Sequence, residues 1–358
     1  MTHLEERLEN DLIKIRARVE KQAEDVETAV TNAIHALQTG NKKLAYATIL
    51  NDLPINRAMR EIDGICHKFI AIHLPSGSHL RLLSSVIRVN IELERIGDYA
   101  VTIAREATQL SSPPEGSLAR ELDRMASETM LMLRQSIRAF NDLNVEMAKS
   151  TKLLADQMEN NLDSIYTEMM KNQERSKVKD ILAIFVIFTQ LKRVADQAKN
   201  LCEDAIFAAT GEQKAPKVYK VLFIDEDNGC KSQMAEAIAR KNYPDSGEYL
   251  SAGRQPAVSL NPDLISFLES RGQSLGDIQP SSLDDLTERT LSEQYVIVSL
   301  EGDVSSYLPK IPFHSTVLEW DLEPVPESGD SKNFENLYRA ISLQVKDLME
   351  TLRGEGAS

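Results

Sequence analysis

Three adjacent carboxylates, Asp225, Glu226 and Asp227, follow a short apolar run and precede a predicted helix. A strand, a tight loop and a helix N-terminus can together present backbone N–H groups to an anion. Like charges about 4 Å apart repel by about 1 kcal/mol per pair in water and by more when they are buried. These three carboxylates would therefore repel a dianion from a loop of this kind.

Two interpretations of the three carboxylates remain open. They can stabilise the following helix, because negative charge is favourable near a helix N-terminus, or they can contact a cation or a partner. We favour the first interpretation. The neighbouring Cys230 is interpreted as a small buried thiol, which is the common state of a free cysteine.

A second pair of carboxylates, Glu94 and Asp98, lies one helical turn apart and points the same way. Such a pair is repulsive unless a cation lies between the two groups, so it is a candidate for a divalent or other hard metal. The alternative is ion pairing with Arg95, Arg105 or a neighbouring helix. From the spacing alone we prefer that alternative, because charged helix faces are usually solvated or paired.

The first part of the chain, residues 1–210, has few glycines and prolines and is rich in helix-favouring residues. Long helices separated by short breaks are typical of helical bundles. The breaks are predicted near residue 40, at residues 75–77, at residues 111–116 and near residue 172. Residues 211–217 are interpreted as a linker.

The helical part contains an internal repeat, which predicts two related units of three helices each, over about residues 1–110 and 115–210. The repeated elements are residues 95–98 with 193–196, and Asp52 and Asn56 with Asp156 and Asn160.

Residues 93–103, with the sequence LERIGDYAVTI, resemble the signature of PhoU proteins, and the resemblance covers roughly residues 1–210. It implies two three-helix bundles side by side, often in a homodimer, with Glu-xxx-Asp motifs that hold iron or zinc clusters. It also implies a protein that restrains phosphate uptake. Its partners would be the ATPase of a phosphate transporter, a sensor histidine kinase, or both.

The sequence departs from the PhoU pattern in the second repeat, where Lys192 stands at the position that is usually Glu. An ammonium there would repel a divalent metal, or replace it by neutralising Asp196. The predicted ligands of a divalent or iron-type metal are therefore Glu94 and Asp98, with Asp52 and Asp196 as secondary members of the set.

After the linker, short apolar runs alternate with predicted helices, which indicates an α/β sheet domain over residues 218–358. Its strands are predicted at residues 218–224 and 295–300, and its helices at residues 232–242 and 261–271.

The segment 221–237 and several later positions resemble the low-molecular-weight tyrosine phosphatase and arsenate reductase family, over about residues 218–352. The resemblance implies a doubly wound parallel sheet and a loop made of a cysteine, five residues and an arginine. Asp225 stands at the cysteine position, Lys231 at the arginine position, and Glu323 where the family has an acid before proline. The remaining positions assigned to the degenerate phosphate loop are Asn228, Cys230 and Ser232.

These replacements predict a pseudophosphatase without catalytic residues. The family's nucleophile is a thiolate of lowered pKa, which a carboxylate at Asp225 does not replace. The ammonium of Lys231 cannot bind an oxyanion with two parallel hydrogen bonds, as a guanidinium does. The longer side chain of Glu323 shifts the position from which a proton would be donated.

The bulk composition narrows the classes of function. The formal net charge of −14 argues against nucleic-acid binding. The N-terminus lacks an apolar signal core, and the longest apolar run, residues 181–188, is too short to span a bilayer. The three cysteines form no CxxC motif, as expected in a reducing compartment. These features predict a cytoplasmic protein without direct membrane insertion.

Taken together, the sequence predicts a regulatory adaptor in phosphate uptake and signalling that acts by protein–protein contact. Two alternatives remain open. One is an arsenate reductase or phosphotyrosine phosphatase with residual activity, and the other is a metal-binding sensor module.

Overall fold

Helices alone form the described part of the first of two units in the chain, Met1–Lys214 and Ala215–Ser358. The structure is a computed structural model that describes residues 3–158, 177–214, 216–272, 279–312, 315–326 and 330–354. The helices of the first unit are α1 (His3–Thr39), α2 (Lys42–Leu50), α3 (Asp52–His73), α4 (Gly77–Gln109), α5 (Gly116–Asn141), α6 (Val145–Met158) and α7 (Val178–Thr210).

The long helices α4 and α7 pack against each other and carry the two repeated apolar stripes. Every member of both stripes is buried, as expected for apolar residues that recur at helical spacing. The stripes are Leu82, Val86, Val89, Leu93, Ile96, Ala100 and Ile103 in α4, and Ile184, Ile187, Leu191, Val194, Ala198 and Leu201 in α7. Helix α1 contacts α4, and α5 contacts α7, so each stripe lies in a helical core.

The first repeat has four helices where the sequence predicts three, because the helix after residue 41 is interrupted at Asn51. Pro54 follows in the first turn of α3. Proline has no backbone N–H and clashes with the carbonyl four residues earlier, so it cannot continue α2. The predicted break near residue 172 and Asn160 lie outside the described residues, as does the side chain of Asp156.

A polar contact also joins α4 to α7. The Arg88 guanidinium donates a hydrogen bond to the carboxylate of Asp204 and lies 4.9 Å from the centre of the Phe207 ring. Burial raises the pKa of Asp204 to about 6, although the bond from Arg88 opposes the increase. The guanidinium of Arg88 is therefore the main group that stabilises the ionised form of the buried Asp204.

The second unit is built on a four-stranded parallel sheet with the strand order β2-β1-β3-β4. Its elements are β1 (Tyr219–Asp225), α8 (Lys231–Asn242), β2 (Gly247–Gly253), α9 (Pro262–Ser270), a 3-10 turn (Leu283–Asp285), α10 (Glu288–Ser292), β3 (Val296–Ser299), a 3-10 turn (Val304–Ser306), β4 (Thr316–Glu319) and α11 (Ser331–Arg353). This parallel α/β sheet and the helical first unit confirm the predicted fold class.

The central strand β1 is buried on both faces from Val221 to Asp225, which explains its continuous apolar sequence. One face packs against α8, α9 and α11, and the other against the short turns near Leu283 and Val304. From β1 the chain moves first to β2 on one side and later to β3 on the other. Ligands of open α/β sheets bind at the carboxyl ends of the strands at such a switch point. Asp225 ends β1 at that point.

Across the residues that the structure describes, none of the helices is long and apolar enough to cross a membrane.

Candidate functional site

The carboxylate of Asp225 occupies the inside of the loop between β1 and α8. Its Oδ1 accepts a hydrogen bond from the backbone N–H of Asn228 at 2.7 Å, and its Oδ2 accepts one from the N–H of Ser232 at 2.9 Å. Ser232 is in the first turn of α8, so Asp225 satisfies an N–H group that the helix leaves unpaired. A negative charge of the chain itself thus binds N–H groups that such a loop could offer to an anion.

Burial governs the ionisation of Asp225, whose side chain is almost completely inaccessible. Burial raises the pKa of Asp225 to about 6, and the hydrogen bonds from Ser232 and Asn228 oppose the increase without cancelling it. The charge of Asp227 adds to the increase. Burial therefore destabilises the ionised carboxylate, whereas its hydrogen bonds to two buried N–H groups stabilise it.

Asn228 fixes the shape of the loop. Its backbone has a φ of 50°, a left-handed conformation that Asn tolerates better than most residues. Its side-chain amide donates to the hydroxyl of Ser232 at 2.8 Å. Its carbonyl oxygen accepts from the side chain of Gln233 and from the backbone N–H of Ser281, both at 2.8 Å. Asn228 is fully buried, so these bonds tie the loop to two other segments.

The other two carboxylates also have partners. Asp227 accepts a hydrogen bond from the backbone N–H of Gly229 at 2.8 Å. Glu226 pairs with the guanidinium of Arg254, with its Oε2 2.7 Å from Nη2 of Arg254. That guanidinium also lies 5.5 Å from the centre of the Tyr307 ring. The three acids therefore bind the chain's own N–H groups and one arginine.

Gly253, at the end of β2, allows the loop to approach the sheet. A Cβ atom on Gly253 would lie 2.6 Å from the backbone nitrogen of Asn228, which is closer than real contacts allow. Any side chain at this position would push the loop away from β2.

The remaining predicted loop residues differ in burial and in their partners. Cys230 is buried, and burial raises the pKa of its thiol to about 12, so it is not a thiolate at neutral pH. Lys231 is buried, and its Nζ is 3.7 Å from Oε1 of Glu301. Glu323 is exposed, between β4 and α11. Within the described residues, it makes no hydrogen bond or ion pair with the loop.

The acidic residues of the first repeat form a cluster, which we call the α3–α4 acidic cluster: Asp52, Glu94 and Asp98. Burial raises the pKa of Glu94, and the charges of Asp98 and Asp52 raise it further. The pKa of Asp98 is raised by burial and then by the charge of Asp52. Asn56 donates to Oδ2 of Asp52 at 2.8 Å, whereas Oδ1 of Asp52 is buried and has no hydrogen-bond partner among the described residues.

The cluster offers carboxylate oxygens, one of which has no partner among the described residues. Oxygen atoms are the ligands that hard divalent cations prefer. In the described ranges, however, no three His, Cys, Asp or Glu side chains lie close enough together to hold a metal as they stand. Metal binding at the α3–α4 acidic cluster therefore stays a prediction.

The corresponding position of the second repeat contains an internal cation. The ammonium of Lys192 lies 3.2 Å from a carboxylate oxygen of Asp196, one turn away on α7. The two repeats thus differ in charge: acids gather in the first, whereas one lysine neutralises the acid of the second.

Asp98→Asn is expected to stabilise the metal-free protein by about 0.5 kcal/mol at neutral pH, because it removes a repelled charge that solvent partly screens. Folding raises the pKa of Asp98 above its ordinary value of 3.8. The ionised carboxylate therefore lowers the free energy of unfolding, and this loss develops as the pH rises above that value. The gain should therefore disappear in acid. Thermal melts in a chelator at several pH values measure it.

The matched control for that substitution is Asp196→Asn, which removes an acid that Lys192 already pairs and should be neutral or slightly destabilising. Added Mn²⁺ tests the metal prediction in the same assay. It should stabilise the parent and not Asp98→Asn. Equal melting shifts for both proteins would contradict a metal bound by Asp98.

Comparison with known proteins gives matches to two families. A profile of the PhoU domain matches residues 19–107 and 122–205. A profile of the low molecular weight phosphotyrosine protein phosphatase matches residues 220–358. Both resemblances inferred from the sequence are thereby confirmed.

Two relatives and one solved structure are similar to part of this chain. The chain is 30% identical over 216 residues to the phosphate-specific transport system accessory protein PhoU homolog of Pseudomonas aeruginosa, covering 58% of this chain and 88% of that protein. It is 25% identical over 208 residues to the corresponding protein of Clostridium acetobutylicum, covering 57% and 95%. The crystal structure of PhoU from Pseudomonas aeruginosa aligns with a TM-score of 0.55 and 27% identity, covering 57% of this chain and 99% of that one.

Proposed function

Because the chain belongs to the PhoU family, we propose that it is an accessory regulator of phosphate transport that acts by contact with other proteins. The relatives that it matches are accessory proteins of phosphate-specific transport systems. The family model matches both helical repeats, and the chain covers 95% and 88% of the length of those two relatives. The proposed partners are the ATPase of a phosphate transporter, a sensor histidine kinase, or both.

The phosphatase-like half serves this regulator as a binding domain without catalysis. The observation that supports this role is the position of the Asp225 carboxylate, which accepts the N–H groups of Asn228 and Ser232 inside the loop. A phosphate in the same place would have to break both bonds and approach three acidic residues. That repulsion is largest in a buried site of low dielectric.

An enzyme with residual activity would need another nucleophile, and the loop does not supply one. The thiol of Cys230 is protonated at neutral pH, because burial raises its pKa to about 12. Attack by Asp225 would require its carboxylate to leave two backbone N–H groups unpaired in a buried loop. These features favour a partner-recognition or dimerisation role for this half over an arsenate reductase or phosphatase.

The proposed function is tested by affinity purification of the tagged full chain from cells grown in high and in low phosphate. We expect a phosphate-transporter ATPase or a sensor kinase to be recovered, in an amount that changes with phosphate supply. Cells that express the tag alone provide the background. Intact tagged protein that recovers neither partner under either condition would contradict the proposal.

A further inference from the structure

A cavity of about 680 Å³ lies between the first five turns of α1 and the end of α3. Among the described residues, four cationic side chains line it, Arg7, Lys14 and Arg18 from α1 and Lys68 from α3, together with the acids Glu6 and Asp11. The lining thus has more cations than acids, whereas the whole chain has 41 basic and 55 acidic residues. We call this feature the α1–α3 basic cavity.

The acids in and near the cavity pair with only some of its cations. Asp11 is bound by Lys14 at 2.9 Å and by His73 at 3.1 Å, and these hydrogen bonds lower the pKa of its carboxyl group. Arg18 lies 3.8 Å from Glu61, but both side chains are more than half exposed, so this pair is weak. In the part of the chain that the structure describes, Arg7 and Lys68 have no ion pair.

The cations of α1 form a row. Residues 7, 14 and 18 lie on one helix face, and at about 1.5 Å per residue the row is roughly 16 Å long. A single phosphate ion would contact only one end of it. A molecule with several linked anionic groups could contact the whole row at once, and guanidinium groups bind phosphate oxygens well.

The cavity also has an apolar side, formed by Ile65, Phe69 and Ile72 of α3. Ile72 is 44% exposed, so part of this apolar surface is accessible to a ligand. Small-molecule sites have volumes of about 300–1,000 Å³ and combine apolar walls with a few polar groups. The volume and the lining of the α1–α3 basic cavity fit that description.

We propose that the α1–α3 basic cavity binds an elongated small-molecule polyanion of the polyphosphate class, either inorganic or attached to a nucleoside. The row of three cations holds the phosphate chain, and Lys68 contacts it from the opposite wall. The apolar side accepts the base when a nucleoside is present. This site goes beyond the proposed adaptor role, which assigns no ligand to the helical half.

Isothermal titration calorimetry of the full chain at low salt tests the proposal with four probes: orthophosphate, tripolyphosphate, ATP without divalent metal, and adenosine. We expect tripolyphosphate or ATP to bind at least tenfold more tightly than orthophosphate, and added salt to weaken the binding. Tighter binding of ATP would assign the site to nucleotides, and equal binding would assign it to the phosphate chain alone.

Two charge reversals on α1 provide a matched pair. Arg18→Glu changes a residue that lines the cavity, whereas Arg16→Glu makes the same change two residues away, at an exposed position outside the lining. Arg18→Glu should weaken polyphosphate binding at least tenfold, and Arg16→Glu should leave it nearly unchanged. Equal weakening by both variants would show attraction to the general charge of α1 and would overturn the proposal. So would an absence of polyphosphate binding to the parent.

Discussion

Replacing Asp225 with alanine is expected to lower the free energy of unfolding of the second unit by about 2 kcal/mol. The substitution leaves the backbone N–H groups of Asn228 and Ser232 buried without their acceptor. Each unpaired buried donor costs about 1–3 kcal/mol. Removal of a carboxylate whose pKa is raised by burial offsets part of that loss. Urea denaturation followed by the fluorescence of Trp320, the single tryptophan, measures the change in this unit.

Asp227→Ala is the matched control for that experiment. Asp227 belongs to the same loop, but its side chain is exposed and accepts a hydrogen bond from one N–H group, that of Gly229. Water can replace this bond, so the expected loss is below about 1 kcal/mol. Equal losses for the two substitutions would mean that Asp225 has no special role in holding the loop.

Arg88→Ala is expected to destabilise the first unit by about 2 kcal/mol, less than the loss of a fully buried pair, because the Arg88 side chain is 44% exposed and solvent screens part of the interaction. It removes the guanidinium that pairs with Asp204 between α4 and α7, and it leaves a buried carboxylate without its main partner. It also removes the contact of the guanidinium with the ring of Phe207. Chemical denaturation followed by far-ultraviolet circular dichroism, which reports on the helices, measures this loss.

Two further variants distinguish the effect of leaving a buried carboxylate unpaired from the effect of losing any arginine. Arg134→Ala breaks a more exposed pair with Glu27 and should cost less than about 1 kcal/mol. The double substitution Arg88→Ala and Asp204→Ala removes the unpaired carboxylate and should recover part of the loss. Equal losses of unfolding free energy for Arg88→Ala and Arg134→Ala would contradict the prediction that the less exposed pair, between α4 and α7, contributes more to stability.

The elements with strong periodicity are the ones that sequence reasoning predicts. Helices α4 and α7 have long apolar stripes, and β1 and β3 are continuous apolar runs. Strand β2 has the sequence GEYLSAG, and the four residues of β4 include Thr and Glu, so neither has a clear apolar pattern. Their positions in the sheet depend on pairing with β1 and β3, and this pairing cannot be inferred from the local sequence alone.

The loop residues are predictable from a short motif, but the contacts that fix them are not. Asn228 binds the N–H of Ser281, 53 residues away, and Glu226 pairs with Arg254, 28 residues away. Arg254 was not predicted as a site residue, because a single arginine after a strand has no distinctive spacing. The close approach of Gly253 to Asn228 likewise exists only in the folded sheet.

The acidic cluster of the first repeat was partly predictable. The spacing of Glu94 and Asp98 places them on one helix face, and the repeat suggested Asp52 as their neighbour. Helix α3 brings Asp52 close enough for its charge to raise the pKa of both other acids. The spacing of these residues in the sequence does not determine how many of their carboxylate oxygens lie close enough together to bind one metal ion.

We infer that the Asp225 carboxylate of the phosphatase-like half stands where an anion would otherwise bind. Calorimetric titration of inorganic phosphate into the parent and Asp225→Ala tests it most directly. We expect no saturable signal from this half in the parent, and weak saturable binding once the carboxylate is removed and two N–H groups are free. The variant Arg18→Glu, made in both proteins, lowers the contribution of the α1–α3 basic cavity to the signal. Saturable phosphate binding by the Arg18→Glu parent, lost on Lys231→Ala, would contradict the claim and show a loop that still accepts phosphate.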